Sequence, residues 1–118
     1  MIHRYLAIAL ASLPLVVGCA SVPSPVDQFA RTQAAVRAAE EAGADRLDPQ
    51  SQLYLKLSRE QLAKGKQMMD EEENEKAGRL LRRSEADAEL ARQIAHLKAA
   101  EAAADEAKRI LAKLKPVN

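Results

Sequence analysis

The chain has 118 residues, of which 47% are hydrophobic, 3% are aromatic and 30% are charged, with 18 basic and 17 acidic side chains. This length favours a single domain, and a core with so few aromatic rings buries little apolar area per residue. The near-neutral balance argues against nucleic-acid binding and against simple electrostatic attachment to an anionic membrane, both of which require a basic surface.

Residues 1–18 are predicted to be a lipoprotein signal peptide. An apolar run over residues 6–17 is too short to span a bilayer comfortably and has the length typical of an export signal. The run ends in Val-Val-Gly-Cys at residues 16–19, which resembles the lipobox of bacterial lipoproteins. We therefore expect the lipoprotein signal peptidase to cut between Gly18 and Cys19.

Cys19 is the only cysteine, so a disulfide within one chain is excluded. The resemblance to a lipobox implies that Cys19 carries acyl chains such as palmitate, and more than one chain gives stable membrane anchoring. The residue after Cys19 is Ala20 and not Asp. In enteric-type lipoproteins this favours the outer membrane, on its periplasmic face, over the inner membrane. The alternative is an ordinary secretion signal, or an uncleaved anchor, with an incidental cysteine.

Residues 19–25 are predicted to form the lipidated cysteine and a short tether, and residues 26–115 a helical domain. We expect Ser24 to cap the first helix, which ends at Gly43, and Phe29 to be a core anchor on it.

The second helix is predicted to begin at Asp48-Pro49, a capping residue followed by proline, and to run to about Met69. One face carries small or apolar residues at helical spacing: Leu55, Ser58, Leu62, Gly65 and Met69.

The third helix is predicted over Asn74 to Lys115, because this stretch consists of strong helix formers, with no Gly after Gly78. A first seam of small apolar positions comprises Ala77, Leu81, Ser84, Ala88, Ala91 and Ala95. A second seam comprises Leu97, Ala100, Ala104, Ala107, Leu111 and Leu114. The two seams differ in phase by about 100°, which indicates that the two halves face different neighbours. The alternative is an incidental stripe in an Ala-rich helix.

Together these elements predict an all-α fold. Short connectors favour a three-helix antiparallel arrangement, in which a long third helix projects beyond a short helical hairpin. The second helix covers only the first half of the third, so the chain from about Leu97 should project by about 25–30 Å, away from the tether.

Three stretches, at residues 39–44, 76–80 and 85–91, resemble the uncharacterised domain of unknown function 4398 of small envelope lipoproteins. The resemblance extends over about residues 28–114. It implies a place in the bacterial cell envelope and contributes no catalytic residues.

The residues themselves give no sign of enzymatic chemistry. His96 has no second histidine near it once residues 1–18 are removed, and the acidic run at residues 71–73 is typical of a solvated helix start. We expect no catalytic residues, no metal site and no cofactor.

The leading hypothesis is a membrane-anchored periplasmic lipoprotein that acts as a non-catalytic interaction module of the envelope. It would present Leu97, Ala104, Leu111 and Leu114 to an envelope protein or to peptidoglycan. The alternative is a self-associating coiled-coil structural spacer, in which the same seam forms a homo-oligomer.

Overall fold

The structure, a computed structural model, describes residues 21–114, and these form three α-helices without a strand. They are α1 (Val26–Glu41), α2 (Pro49–Asp70) and α3 (Asn74–Leu114). The predicted all-α fold with a long third helix is confirmed. The predicted signal peptide, the cleavage site at Gly18 and the lipidation site at Cys19 lie outside the described residues.

Hydrogen bonds in the connector between α1 and α2 end the first helix and begin the second. Gly43 has a φ of 80°, and its N–H donates to the Glu40 carbonyl while the Ala44 N–H donates to the Ala39 carbonyl, so α1 ends in a Schellman motif. The Asp48 carboxylate accepts hydrogen bonds from the backbone N–H groups of residues 50 and 51, at 2.8 and 3.2 Å. Both predicted signals, the glycine stop and the aspartate cap, are therefore confirmed.

The start of α1 differs from the prediction. Pro25, not Ser24, occupies the cap position, and no side chain caps this end. The Ser24 carbonyl instead accepts a hydrogen bond from the Val26 N–H at 2.9 Å. A proline at the cap has a fixed φ, so the preceding residue contributes only its backbone.

The core lies along α3, against which α2 and then α1 pack. Every residue of the first seam is buried: Ala77, Leu81, Ser84, Ala88, Ala91 and Ala95. On α2 the matching face buries Leu55, Ser58 and Gly65. Because most of these side chains are small, the helix axes approach closely, and the fold is held by many short contacts.

A pair of serines marks a close approach of α2 and α3. The Ser58 Oγ donates to the Ser84 carbonyl at 2.9 Å, and the Ser84 Oγ donates to the Ser58 carbonyl at 2.7 Å. Both side chains are fully buried. Two turns farther along α2, Gly65 faces the side chain of Leu81 so closely that a Cβ on it would lie 2.7 Å from the Leu81 Cδ2.

Helix α1 docks through Ala35, Val36 and Ala39 in its second half and through polar side chains in its first half, which the sequence pattern did not predict. Its buried face includes Gln28 and Thr32, whereas Phe29, the expected core anchor, is only half-buried. The Thr32 Oγ1 lies 3.1 Å from the Leu81 carbonyl on α3, and the Gln28 Nε2 donates to the Glu85 carboxylate. Since these buried groups find hydrogen-bond partners on α3, the polar face can turn inward and Phe29 moves to the edge.

The two helical glycines offer a matched test of the close approach. We expect Gly65→Ala to lower the free energy of unfolding by about 1–3 kcal/mol, because the added methyl group collides with buried Leu81. Gly78→Ala should raise it by about 0.4–1 kcal/mol, because a Cβ there meets nothing nearer than 3.6 Å and alanine favours the helix. Urea unfolding followed by circular dichroism measures both. Equal stabilisation by the two substitutions would contradict the described packing.

Candidate interaction surface

The last part of α3 extends beyond the other two helices. Ala95 is the last buried residue of α3, and from Ala99 to Leu114 every residue is exposed. We call residues 97–114 the distal segment. Its length, about 27 Å, matches the predicted projection.

The residues expected to contact a partner lie together on one side of the distal segment. We call Leu97, Ala104, Leu111 and Leu114 the distal stripe. Leu97 is 56% exposed, Leu111 61% and Leu114 73%, and Ala104 is exposed as well. The predicted exposure of these residues is confirmed. An apolar row of this kind along a helix is the usual form of a helix-pairing surface.

Two further apolar side chains that the sequence reasoning missed adjoin the distal stripe. Leu90 is 41% exposed and stands seven residues before Leu97, and Ile110 is 49% exposed beside Leu111. The seven-residue spacing of Leu90, Leu97, Ala104 and Leu111 is the signal that identifies Leu90. The exposed apolar row therefore begins one heptad earlier, on the outside of the bundle.

Charged side chains flank the distal stripe in short intrahelical pairs. The Lys98 Nζ lies 2.9 Å from Glu101, the Lys108 Nζ 3.1 Å from Asp105, and an Arg109 nitrogen 3.3 Å from Glu106. The hydrogen bond to Glu101, together with its charge, raises the pKa of Lys98. Within residues 101–109, the acidic side chains thus precede the basic ones.

The opposite end of the bundle receives the residues that precede α1. The Asn74 Nδ2, at the start of α3, donates to the Val22 carbonyl at 2.9 Å. Residues 21–24 and residues 72–76 line the same shallow groove beside the α2–α3 turn. The chain therefore enters the bundle at the end of α3 that lies farthest from the distal stripe.

The remaining features that the sequence analysis considered lie as follows. Within residues 21–114, no group of three or more His, Cys, Asp or Glu side chains is placed to hold a metal ion. His96 is exposed on α3. The same range has no helix with the apolar length that crossing a bilayer requires. The cluster of Gln28, Thr32 and Glu85 joins α1 to α3.

Comparison with known proteins identifies a family. A family model described as a domain of unknown function (DUF4398) matches residues 27–107, which cover nearly all of α1, all of α2 and α3 into the distal segment. No curated protein and no solved structure matches the chain.

The distal segment should be the least protected part of α3. A helix that packs on nothing keeps only its own backbone hydrogen bonds, whose cooperativity is weak over 18 residues. We expect amide hydrogens of residues 100–112 to exchange on the order of 100-fold faster than those of residues 81–95 in dilute protein. Hydrogen–deuterium exchange with mass spectrometry measures both ranges in one molecule. Equal protection would mean that another surface covers the distal stripe.

Proposed function

The chain belongs to the family of the domain of unknown function DUF4398, and we propose that it is a lipid-anchored lipoprotein of the bacterial envelope that works by contact, without catalysis. The observation that carries the proposal is the placement of two features at opposite ends of one helix. Residues 21–24 lie against the start of α3, and the distal stripe lies at its other end.

The anchor is argued from the sequence. Six residues would separate lipidated Cys19 from α1, and an extended tether of that length reaches about 20 Å. The start of α3 would then lie near the membrane surface. Residues 97–114 begin about 35 Å farther along the helix and end at about 60 Å. The distal stripe would thus be held clear of the lipid and within reach of periplasmic proteins or peptidoglycan.

The working surface is the distal stripe. Its leucines are more than half exposed, and burying each of them against a partner would contribute about 1.5–3 kcal/mol before the costs of association. Nothing in the bundle needs these side chains, since the first seam already fills the contact with α1 and α2. Selection for contact with a partner explains leucines at solvent-exposed positions of an otherwise Ala-rich helix.

The anchor is tested by acylation and sorting. Cells fed an alkyne-tagged palmitate analogue should label the wild-type protein, and Cys19→Ser should abolish the label and leave residues 1–18 attached. Ala20→Asp should keep the label but shift the protein from the outer to the inner membrane fraction. A wild-type protein that is cleaved yet unlabelled would refute the lipid anchor.

The contact surface is tested with a matched pair of double variants. We expect Leu97→Lys with Leu111→Lys to remove the crosslinked partners of the full-length protein in cells, because two charges interrupt the apolar row. Ala102→Lys with Ala112→Lys adds the same charge to exposed positions off the stripe and should keep those partners. Helicity should be unchanged in both, since none of the four residues is buried. An identical set of partners for the two variants would exclude the distal stripe as the contact.

A further inference from the structure

We propose that the distal segment pairs with a second copy of itself in antiparallel orientation. The proposal rests on the proposed function, in that the distal stripe is taken as a contact surface. It adds the identity of the partner, the orientation of the two helices and their register. The seam of the distal segment, its flanking charges and the position of the bundle each support it.

The second seam of α3 is complementary to a second copy of itself that runs in the opposite direction. In the antiparallel register that overlaps residues 97–114 fully, Leu97 lies opposite Leu114 of the second copy, and Ala100 lies opposite its Leu111. Ala104 then meets Ala107 at the centre of the pair. Each Leu111 is therefore accommodated over an alanine, and the half-exposed Ile110 lies opposite Ala103. Small residues at the centre allow the two helices to approach closely.

The charges beside the seam select the orientation. In the antiparallel register, Glu101 of each copy lies beside Lys108 of the other, so that two opposite-charge pairs flank the contact. In a parallel, in-register pair, Glu101 would instead lie near His96 of the second copy, and Lys108 near Ala103. Exposed pairs of this kind contribute little affinity but set partner orientation. Only the antiparallel arrangement pairs a lysine with a glutamate across the seam.

The bundles do not obstruct this pairing. Every residue of α3 from Ala99 to Leu114 is exposed, so no other helix of the described chain covers this surface. The two bundles would flank the shared segment at its opposite ends and form a rod on the order of 100 Å long. Residues 21–24 of the two copies would then lie at opposite ends of the rod, because each group lies at the start of its own α3. With both anchors in one membrane, the paired rod would lie along that membrane, whereas the upright posture described above is that of an unpaired copy.

Disulfide trapping in cells tests the orientation with the full-length protein, and it captures even the weak association expected of so small an interface. The single variants Leu97→Cys and Leu114→Cys should each stay monomeric, because in the antiparallel pair each cysteine lies far from the same cysteine of the second copy. The double variant should form a disulfide-linked dimer. Within one helix the two positions are about 26 Å apart, which excludes an internal disulfide.

Other outcomes overturn the proposal in distinct ways. Dimers of both single variants would indicate parallel pairing, and the absence of dimers in all three would exclude self-association. Loss of other crosslinked partners on Leu97→Lys with Leu111→Lys would then leave the proposed function intact with a different partner. A disulfide dimer of the wild-type protein would reveal a free thiol at Cys19, which bears on the anchor alone.

Charge reversal in the double-cysteine background tests the flanking pairs. Glu101→Lys should lower the dimer yield about fivefold, since it places two lysine pairs across the contact. Adding Lys108→Glu should restore the yield. Glu106→Lys is the matched control, because it also breaks an intrahelical ion pair but lies away from the seam. Equal losses from Glu101→Lys and Glu106→Lys would refute the antiparallel register.

Discussion

The rest of the structure depends on the close approach of α2 to α3 at Ser58 and Ser84. Each hydroxyl donates to the backbone carbonyl of the other residue, which requires the two helices to lie nearly in backbone contact. A larger side chain at either position would separate the helices and move the hydroxyl of the other serine out of reach of its carbonyl partner. The same separation would open a gap at Gly65, which now faces Leu81 without a Cβ between them. A core of alanine and serine can therefore hold three helices only because their axes are so close, and each contact is worth little alone.

This packing explains which parts of the fold could be predicted from the sequence. The first seam of α3 and the cap at Asp48 are local patterns, one a repeat of small residues and the other a carboxylate before a proline, and the structure confirms both. The first half of the buried face of α1 is not such a pattern. Gln28 and Thr32 are buried because Leu81 and Glu85 offer partners from a helix about fifty residues away. No periodicity of hydrophobic residues contains that information, so Phe29 was wrongly assigned to the core.

The candidate surface was predictable for a different reason. The lengths of α2 and α3 alone determine that residues from about Leu97 extend past the bundle, and in the structure every residue from Ala99 to Leu114 is exposed. Leu90 was missed because it lies within the covered half of α3 yet points away from α1 and α2. The seven-residue spacing from Leu97 identifies Leu90, whereas the spacing of the first seam does not include it. Cys19 remains an inference from the lipobox, outside the described residues.

The unbroken course of α3 has a mechanical consequence. Residues 79–114 contain neither glycine nor proline, and the helix continues without interruption from the packed half into the exposed half. Such a helix acts as a stiff lever, which bends only gently along its length. A tilt of the bundle by about ten degrees would swing the tip of this 60 Å lever through about 10 Å. A small change in the tilt of the bundle is thereby amplified into a displacement of the tip of α3 that is as wide as the helix itself.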